Sequence, residues 1–459
     1  MITLKTNLEP NNSNLIETIK NDSIGRRPYV FKFVDFLCHI NGNASIALDA
    51  AWGEGKTFFI NQCKLVIDSF NDETKTISPE DRENIKNLYR SKEQYAIPEK
   101  TMCVYYDAWK KDNNNDPLAS IISEIAIQTN TEYHFRKNDN LINLAKGLLQ
   151  SVVKYKCDYE IPDNLGIEPT YDYLEIAKKQ DEVYKKINEY ITELLSEKYE
   201  RLIIIIDELD RCRPNFAVEL LERIKHYFDD ERLMFVFATN LEQLQYTVKK
   251  YYGNDFDGYS YLDRFFDIKL SIPEADFEKY DKALGVSDTL WVYFKMCRSF
   301  ADYYELGLRE RNKYLNISKI AGYYVTRNSN EMRFGDKNAL EFSVMYIVPL
   351  LLILKFIDIE KYSSFVKGNN GEDIQILKRI APDEDNFIHY LFDNDEKNIS
   401  DPLKKQKTVS EKLNEVYKAL FVVDKNVEKT IGSCEFSRRI GKEIIDISNI
   451  MSEFTPYNT

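Results

Sequence analysis

The sequence has few residues arranged as metal ligands. Its four histidines lie far apart, and none of its seven cysteines belongs to a C-x-x-C pair. Structural zinc sites take their ligands from closely spaced cysteines and histidines. The composition therefore argues against a zinc-dependent fold, and scattered cysteines are typical of reduced thiols. The first residues, MITLKTNLEPNNSN, lack the apolar core of a secretory signal. We expect a cytoplasmic protein.

An excess of positive charge is also absent. The chain has 62 Lys and Arg against 75 Asp and Glu, which gives a formal net charge of −13. Nucleic acids and anionic membranes attract basic surfaces. The charge therefore argues against bulk binding to either, although a local basic patch is compatible with it. The sequence gives no strong signal for a nucleic-acid partner.

One apolar run requires comparison with membrane helices. Phe342–Leu354 is uncharged, but it is shorter than the about 20 residues that span a bilayer. Pro349 interrupts the run and Lys355 ends it. We predict a buried helix of a C-terminal helical domain, with an interfacial segment as the alternative. No membrane partner is expected.

The feature around which the chain is organised lies near its N-terminus. Ser45–Leu48 is a short apolar run suited to a buried strand, and Asp49–Gly55 is a loop of mostly small residues. Lys56 and Thr57 then open an apolar segment that is typical of a helix. Backbone N–H groups of such a loop and of the helix N-terminus converge on one point and favour anions there. The pattern predicts a phosphate-binding loop, with Lys56 at the β- and γ-phosphates and Thr57 on Mg²⁺.

Two glycines of the loop match the phosphate-binding pattern, and one position departs from it. Gly53 and Gly55 allow unusual dihedral angles and close approach of the backbone to a ligand. The usual pattern G-x-x-x-x-G-K-[ST] has Gly where Ala50 stands. Because Ala is small, we expect a tighter turn rather than loss of the loop. The alternative is a Gly-Lys-Thr that occurs by chance in a loop.

A second motif complements the loop. Leu202–Ile206 is apolar throughout, as in a strand of a parallel sheet covered on both faces, and Asp207 and Glu208 follow it. An Asp in this place holds Mg²⁺ through water, and an adjacent Glu can orient and polarise the attacking water. Two carboxylates at the end of a buried strand are costly unless they face a cation. With a phosphate loop upstream, this pair indicates a nucleoside triphosphatase rather than an ordinary strand-to-loop transition.

The remaining pattern predicts the fold class. Further strands are expected at Thr101–Tyr106, Leu233–Ala238 and Phe266–Ile272. The first of these is our candidate for the extra strand between the two motifs in this class of triphosphatases. We predict an α/β three-layer sandwich around a mainly parallel five-stranded sheet, followed by an α-helical C-terminal domain. A chain of 459 residues is long enough for this organisation.

The domain limits follow from the same pattern. The triphosphatase domain is predicted over residues 1–275, with a helical insertion at about 120–200, and the C-terminal domain over 276–459. Beyond Pro273 the pattern is helical almost throughout, broken at Gly368–Asp373 and at Pro382–Asn398.

Three polar residues outside the two motifs are further candidates. Asn240 follows the fourth strand, where a side chain can lie between the attacking water and the γ-phosphate or can cap the next helix. Arg264 precedes the fifth strand, where ring-forming ATPases present an arginine to a neighbouring subunit. An ordinary surface arginine is the alternative. Arg333 could report the γ-phosphate to the C-terminal domain, although a structural role is the simpler interpretation.

Four segments together resemble the KAP P-loop NTPases, a family related to STAND and AAA+-like ATPases. They are Trp52–Thr57, Tyr106–Trp109 followed by Asp116–Leu118, Asp207–Cys212, and Tyr261–Arg264. The resemblance covers about residues 20–275, and the helix around Arg333 is a further candidate for it. Asp22–Arg26 is a weak match to the element that touches the base in related ATPases.

The resemblance implies ATP and Mg²⁺ as ligands. The nucleotide-binding residues would be Trp52, Gly53, Glu54, Gly55, Lys56, Thr57 and Phe58. Thr57 and Asp207 would hold the metal, and the catalytic group would comprise Lys56, Glu208, Asn240 and Arg264. The chain departs from the family pattern at Ala50, Asp107, Glu208 and Arg264.

Family resemblance also implies a biological setting. Many members carry transmembrane helices between the two motifs, but residues 58–200 contain no such run, so we expect a soluble bacterial member. The family is known largely from plasmid- and prophage-associated genes that exclude phage, which suggests anti-phage defence. We expect a regulated ATPase switch with a homo-oligomer, a protein effector or both as partners. The alternatives are a nucleotide-binding scaffold with little turnover and an ATP-driven motor on nucleic acid or protein.

Overall fold

The computed structural model describes residues 8–71, 74, 76–91, 95–114, 116–131, 139–157, 173–195, 199–286, 291–328, 337–381, 384–393, 396–423 and 427–449. The chain divides into an N-terminal unit, Asn7–Lys279, and a C-terminal unit that begins at Tyr280.

A five-stranded sheet forms the centre of the N-terminal unit. Its strands are β1 (Ala44–Asp49), β2 (Thr101–Asp107), β3 (Arg201–Asp207), β4 (Leu233–Thr239) and β5 (Ile268–Ser271). The order across the sheet is β2-β3-β4-β1-β5, and every neighbouring pair is parallel. All seven residues of β4 are buried, as expected where helices cover both faces. The predicted α/β sandwich is confirmed, with a sheet that is entirely rather than mainly parallel.

Helices cover both faces of this sheet. They are α1 (Asn12–Asn21), α2 (Arg27–His39), α3 (Lys56–Ser69), α4 (Pro79–Arg90), α5 (Ala108–Lys111), α6 (Pro117–Thr131), α7 (Asp139–Cys157), α8 (Tyr173–Leu194), α9 (Pro214–Tyr227), α10 (Leu241–Tyr252) and α11 (Gly258–Leu262). Alternate residues of β3, such as Ile204 and Ile206, join one apolar cluster with residues of α6 to α10. Residues 158–172 of the predicted helical insertion lie outside the described residues.

The position of β2 corrects one prediction. Thr101–Asp107 does form a strand, but it lies at the edge of the sheet, beyond β3. The strand that lies between β1 and β3 is β4, which is hydrogen-bonded to both. The order of strands along the chain does not fix their order across a parallel sheet, because each connection crosses over a face of the sheet.

Parallel pairing fixes which residues meet at each edge of the sheet. Asp107 lies opposite Asp207, and Asp49 lies opposite Thr239, all at the carboxyl ends of their strands. Segments that precede a strand lie at the other edge. Arg264, which precedes β5, therefore lies at the amino edge.

The C-terminal unit is mainly helical. Beyond the boundary helix α12 (Phe277–Ala283) it contains α13 (Trp291–Tyr303), α14 (Leu308–Asn328), α15 (Lys337–Phe342), α16 (Val348–Ile357), α17 (Ile359–Val366), α18 (Leu377–Ile380), α19 (Glu384–Leu391), α20 (Pro402–Tyr417) and α21 (Arg438–Asn449). We predicted a break in the helical pattern at Pro382–Asn398, but helix α19 lies within it. The prediction is wrong there because Phe387 and Leu391 are buried and give the segment an apolar face.

A β-hairpin in this unit was missed. The strands β6 (Lys429–Ile431) and β7 (Cys434–Phe436) pair antiparallel, and Gly432 in the turn has a φ of +61°. Each strand has only three residues. That length is too short for an alternating apolar pattern to distinguish a strand from a helix turn.

The apolar run forms a helix whose described side chains are mostly buried. Ser343–Ile347 is a π-helical turn that leads directly into α16, and Pro349 lies in the first turn of α16. A proline lacks the N–H of a regular helix turn, and Pro349 directly follows the π-helical turn, where the hydrogen-bond pattern of the helix already changes. The continuous segment Asn338–Ile357 is long and apolar enough to cross a membrane, but 72% of its most apolar window is buried inside the protein. The predicted buried helix is confirmed, and Pro349 does not interrupt it.

Candidate nucleotide-binding site

The loop between β1 and α3 has the backbone that its glycines require. Gly53 and Gly55 have φ angles of +92° and +85°, in the region that side chains with a Cβ disfavour. The non-glycine residues with positive φ in the described part of the chain are Asp22, Lys100, Glu208 and Glu305. Ala50 is not one of them, so the Ala in place of Gly causes no backbone strain.

Lys56 is the first residue of α3, and its side chain lies within the loop. Its Nζ donates to the carbonyl oxygens of Ala50 and Ala51, at 2.5 and 3.2 Å. Burial lowers the pKa of this amine, and the carboxylates of Asp210, Asp207, Glu208 and Asp49 act in the opposite direction. The ammonium is therefore positioned between the loop and a group of acidic residues.

Arg26 precedes the loop in the chain and donates a hydrogen bond to its backbone. Its side chain is 3% exposed, and Nη1 donates to the carbonyl oxygen of Glu54 at 2.7 Å. Burial lowers the pKa of this guanidinium to about 10. Its Nε and Nη2 atoms have no hydrogen-bond partner among the described residues. The weak match at Asp22–Arg26 thus contains a residue that contacts the loop backbone, a contact that the sequence does not predict.

Thr57 meets the carboxylates at the end of β3. Its Oγ1 donates to Oε1 of Glu208 at 3.4 Å, and it lies close enough to Asp207 to lower the pKa of that carboxyl group. Asp207 is completely buried, and burial raises the pKa of its carboxyl group. Three residues that the sequence assigned to the site from separate motifs are therefore brought together.

Glu208 is held in an uncommon conformation. Its φ of +60° and ψ of 26° lie in the left-handed region, where a non-glycine residue is strained. Its Oε2 forms an ion pair with Nε of Arg211, whose guanidinium lies 5.4 Å from the ring centre of Trp109. Burial raises the pKa of Glu208, and Asp207 adds to this effect while Arg211 opposes it. Arg211 and Trp109 lie in segments that resemble the family, but neither had a predicted role.

Asp210 links three parts of the site. Its Oδ2 accepts a hydrogen bond from Nε1 of Trp52 at 2.5 Å, and its Oδ1 accepts one from Oγ1 of Thr239 at 3.0 Å. The carboxylate thus connects the loop to the ends of β3 and β4. This role was also missed, because nothing in the sequence relates Trp52 to Asp210 or Thr239.

The remaining predicted residues near the loop have different surroundings. The Oδ1 of Asn240 accepts from the backbone N–H of Gln243 at 3.1 Å, so Asn240 caps α10 at the carboxyl edge of the sheet. Its proposed role toward water stays a prediction. The Phe58 side chain is buried in the core, which leaves only its backbone N–H available to a ligand. Gly53, Glu54 and Gly55 belong to the loop itself.

Arg264 lies apart from these residues. It is exposed at the amino edge of the sheet, beside a cavity of about 220 Å³ that Ser45 and Phe228 also line. Its carbonyl oxygen accepts from Nζ of Lys225 at 2.5 Å. The loop and the carboxylates lie at the opposite edge, so the structure does not bring Arg264 to this chain's own site. Arg333 lies outside the described residues.

The residues present fit Mg²⁺ and a nucleotide. One hydroxyl and two carboxylates provide the hard oxygen ligands that Mg²⁺ prefers. Within the described ranges no cluster of three or more His, Cys, Asp or Glu side chains could hold a metal by itself. Mg²⁺ in phosphate sites takes most of its ligands from phosphate oxygens and water, so such a cluster is not required. Buried Arg26 and Lys56 would provide positive charge for phosphates.

The phosphate loop, the lysine and threonine of α3 and the acidic pair after β3 define a P-loop NTPase. The KAP family P-loop domain matches residues 26–289, more than half of the chain, and the chain belongs to this family. The resemblance seen in the sequence is confirmed. Domains of this class bind nucleotides, generally with Mg²⁺.

Comparisons with curated proteins and with solved structures add no evidence about function. No curated protein matches the chain. Among solved structures, the chain is similar to one in the structure of Drosophila ORC bound to GC-rich DNA and Cdc6, with 10% sequence identity and a TM-score of 0.30. The alignment covers 89% of this chain and 51% of that one, so this chain spans about half the length of the ORC-structure chain. At this TM-score the similarity carries no structural or functional argument.

Proposed function

We propose that the protein is an ATPase switch that binds ATP with Mg²⁺ and hydrolyses it under the control of assembly. One observation carries the proposal: Lys56 and Thr57 at the start of α3 meet Asp207 and Glu208 at the end of β3. These four residue types are ones that P-loop enzymes use for phosphate transfer to water, which supports the proposal.

Each residue has a distinct task in this proposal. Lys56 neutralises charge on the β- and γ-phosphates, and Thr57 and Asp207 would hold Mg²⁺. The ion, when bound, would neutralise charge that develops on the phosphate oxygens. Glu208 orients the attacking water and polarises its O–H bond.

The ion pair between Glu208 and Arg211 supports regulated rather than constitutive turnover. A carboxylate that shares its charge with a guanidinium is a weaker acceptor for the proton of water. Arg211 in turn lies over Trp109, which is 51% exposed. Movement of Arg211 away from Glu208 would therefore free the catalytic group. The net charge of −13 makes a motor that tracks along DNA the weaker alternative.

Replacing Arg211 tests this restraint. We expect Arg211→Ala to raise basal turnover about fivefold, because Glu208 loses its charge-assisted partner. Arg213→Ala is the matched control, since Arg213 is in the same loop but pairs with Asp112. Steady-state hydrolysis at saturating ATP gives the comparison. A fall in turnover for Arg211→Ala alone would instead make Arg211 a residue that positions Glu208.

The biological part of the proposal is anti-phage defence, with self-assembly or a protein effector as the output. Its support is the family to which the chain belongs and the phage exclusion that the resemblance implies. Bacteria that express the wild type or Lys56→Ala at equal levels would be challenged with a panel of phages. We expect fewer plaques only with the wild type. Equal plating on both strains for every phage would contradict this role.

A further inference from the structure

The edge strand β2 carries two adjacent tyrosines with different partners. Residues alternate between the faces of a strand, so Tyr105 and Tyr106 point to opposite sides of the sheet. The hydroxyl of Tyr106 donates to Oγ of Ser120 on α6 at 2.8 Å. The hydroxyl of Tyr105 donates to Oδ2 of Asp207 at 2.8 Å. Of the two phenols, only that of Tyr105 reaches the nucleotide site.

The carboxylate of Asp207 depends on few partners. It is completely buried, and its Oδ1 accepts from the backbone N–H of Glu208 at 2.9 Å. A buried carboxylate without hydrogen bonds is costly, and one oriented by several donors is fixed in direction. Tyr105 provides the side-chain donor to Oδ2, from a strand that contains none of the loop residues.

The position of Tyr105 is itself fixed from two sides. Gln128 on α6 accepts from the Tyr105 N–H at 3.0 Å and donates to its carbonyl oxygen at 2.5 Å. These two bonds satisfy the N–H and C=O groups of Tyr105 that an edge strand leaves unpaired, as a neighbouring strand would. On the opposite side, Asn61 of α3 lies close enough to the phenol to affect its pKa, and it donates to the carbonyl oxygen of Thr57 at 2.7 Å. Tyr105 is therefore connected to both residues assigned to Mg²⁺, Thr57 and Asp207.

We propose that Tyr105 is a positioning residue for the Mg²⁺ site, holding the carboxylate of Asp207 in the direction that the ion requires. This inference rests on the proposed function, since it assumes that the site binds Mg²⁺ with a nucleotide. Mutation of a residue that orients a metal-binding side chain typically lowers metal affinity or activity by about 10- to 100-fold. A phenylalanine would keep the ring and its packing but would leave Oδ2 of the buried carboxylate without this donor.

Equilibrium binding of a fluorescent, non-hydrolysable ATP analogue tests the proposal without turnover. The analogue would be titrated into the full chain in the presence of Mg²⁺ and in the presence of EDTA. For Tyr105→Phe we expect the Mg²⁺ concentration for half-maximal binding to rise about tenfold. Binding in EDTA should equal that of the wild type. Tyr106→Phe is the matched control and should behave as the wild type in both conditions, since it loses an equivalent buried hydroxyl on the other face. Melting temperatures of both variants would show that each is folded.

The outcomes separate the two claims. Wild-type Mg²⁺ dependence in Tyr105→Phe would overturn the inference and leave the proposed function standing. Equal weakening in Mg²⁺ and in EDTA would also overturn it, because Tyr105 would then support the phosphate loop rather than the metal. A wild-type protein that binds the analogue in neither condition would overturn the proposed function itself.

Discussion

Glu208→Gln is expected to lower ATP hydrolysis by about a hundredfold or more, the range of a lost general base. The amide keeps the size of the side chain but cannot accept a proton from water. Lys56, Thr57 and Asp207 are untouched, so nucleotide affinity should stay within about twofold, since no phosphate or metal contact is removed. The variant should therefore retain bound ATP.

Single-turnover hydrolysis and equilibrium binding, measured on the same preparations, check this prediction. Glu200→Gln is a matched control, because Glu200 immediately precedes the amino end of β3 and pairs with Lys100 at the surface. It should hydrolyse ATP as the wild type does. A Glu208→Gln protein with wild-type turnover would remove Glu208 from catalysis.

Arg264→Ala is expected to lower turnover by about a thousandfold, as for other arginines supplied in trans to a transferred phosphate. Arg264 lies at the amino edge of the sheet, whereas Lys56 and Asp207 lie at the carboxyl edge. It can therefore act only on the nucleotide of another copy. Mixing Arg264→Ala with Lys56→Ala should restore turnover, because each copy supplies the group that the other lacks.

The control for this experiment is another arginine at the same edge. Arg232 precedes β4 and pairs with Asp230, so Arg232→Ala should keep its turnover. Size-exclusion chromatography with light scattering would establish that the mixed subunits assemble together. Absence of rescue in a mixed assembly would exclude a role for Arg264 in trans.

The parts of this fold that the sequence predicted are those that depend on local pattern. Leu202–Ile206 and Leu233–Ala238 are apolar on both faces, which is diagnostic of buried parallel strands. Gly53 and Gly55 indicate the loop because its backbone requires positive φ angles at these positions. Lys56 indicates it because its side chain supplies a cation for phosphates. The positions of β2 and β4 in the sheet could not be predicted from the sequence, because they depend on how distant segments pack.

The residues that hold the loop and the carboxylates in place could not be predicted either, because their partners are distant in the sequence. Tyr105, Arg26 and Asp210 act through partners that are 28 to 158 positions away in the chain. A tyrosine in an apolar strand or an arginine in a turn is ordinary in sequence, and only the fold shows what its polar atoms contact. Arg211 was visible as part of a motif, but its pairing with Glu208 depends on the left-handed conformation at Glu208.

ATP hydrolysis measured against protein concentration, with the assembly size determined on the same samples, tests the central claim most directly. Lys56→Ala gives the background. A site that requires Arg264 from a second copy predicts that turnover per subunit rises with concentration, together with the fraction of larger assemblies. Turnover per subunit that stays constant while the wild type remains a monomer would contradict the account, because the site would then be complete within one chain.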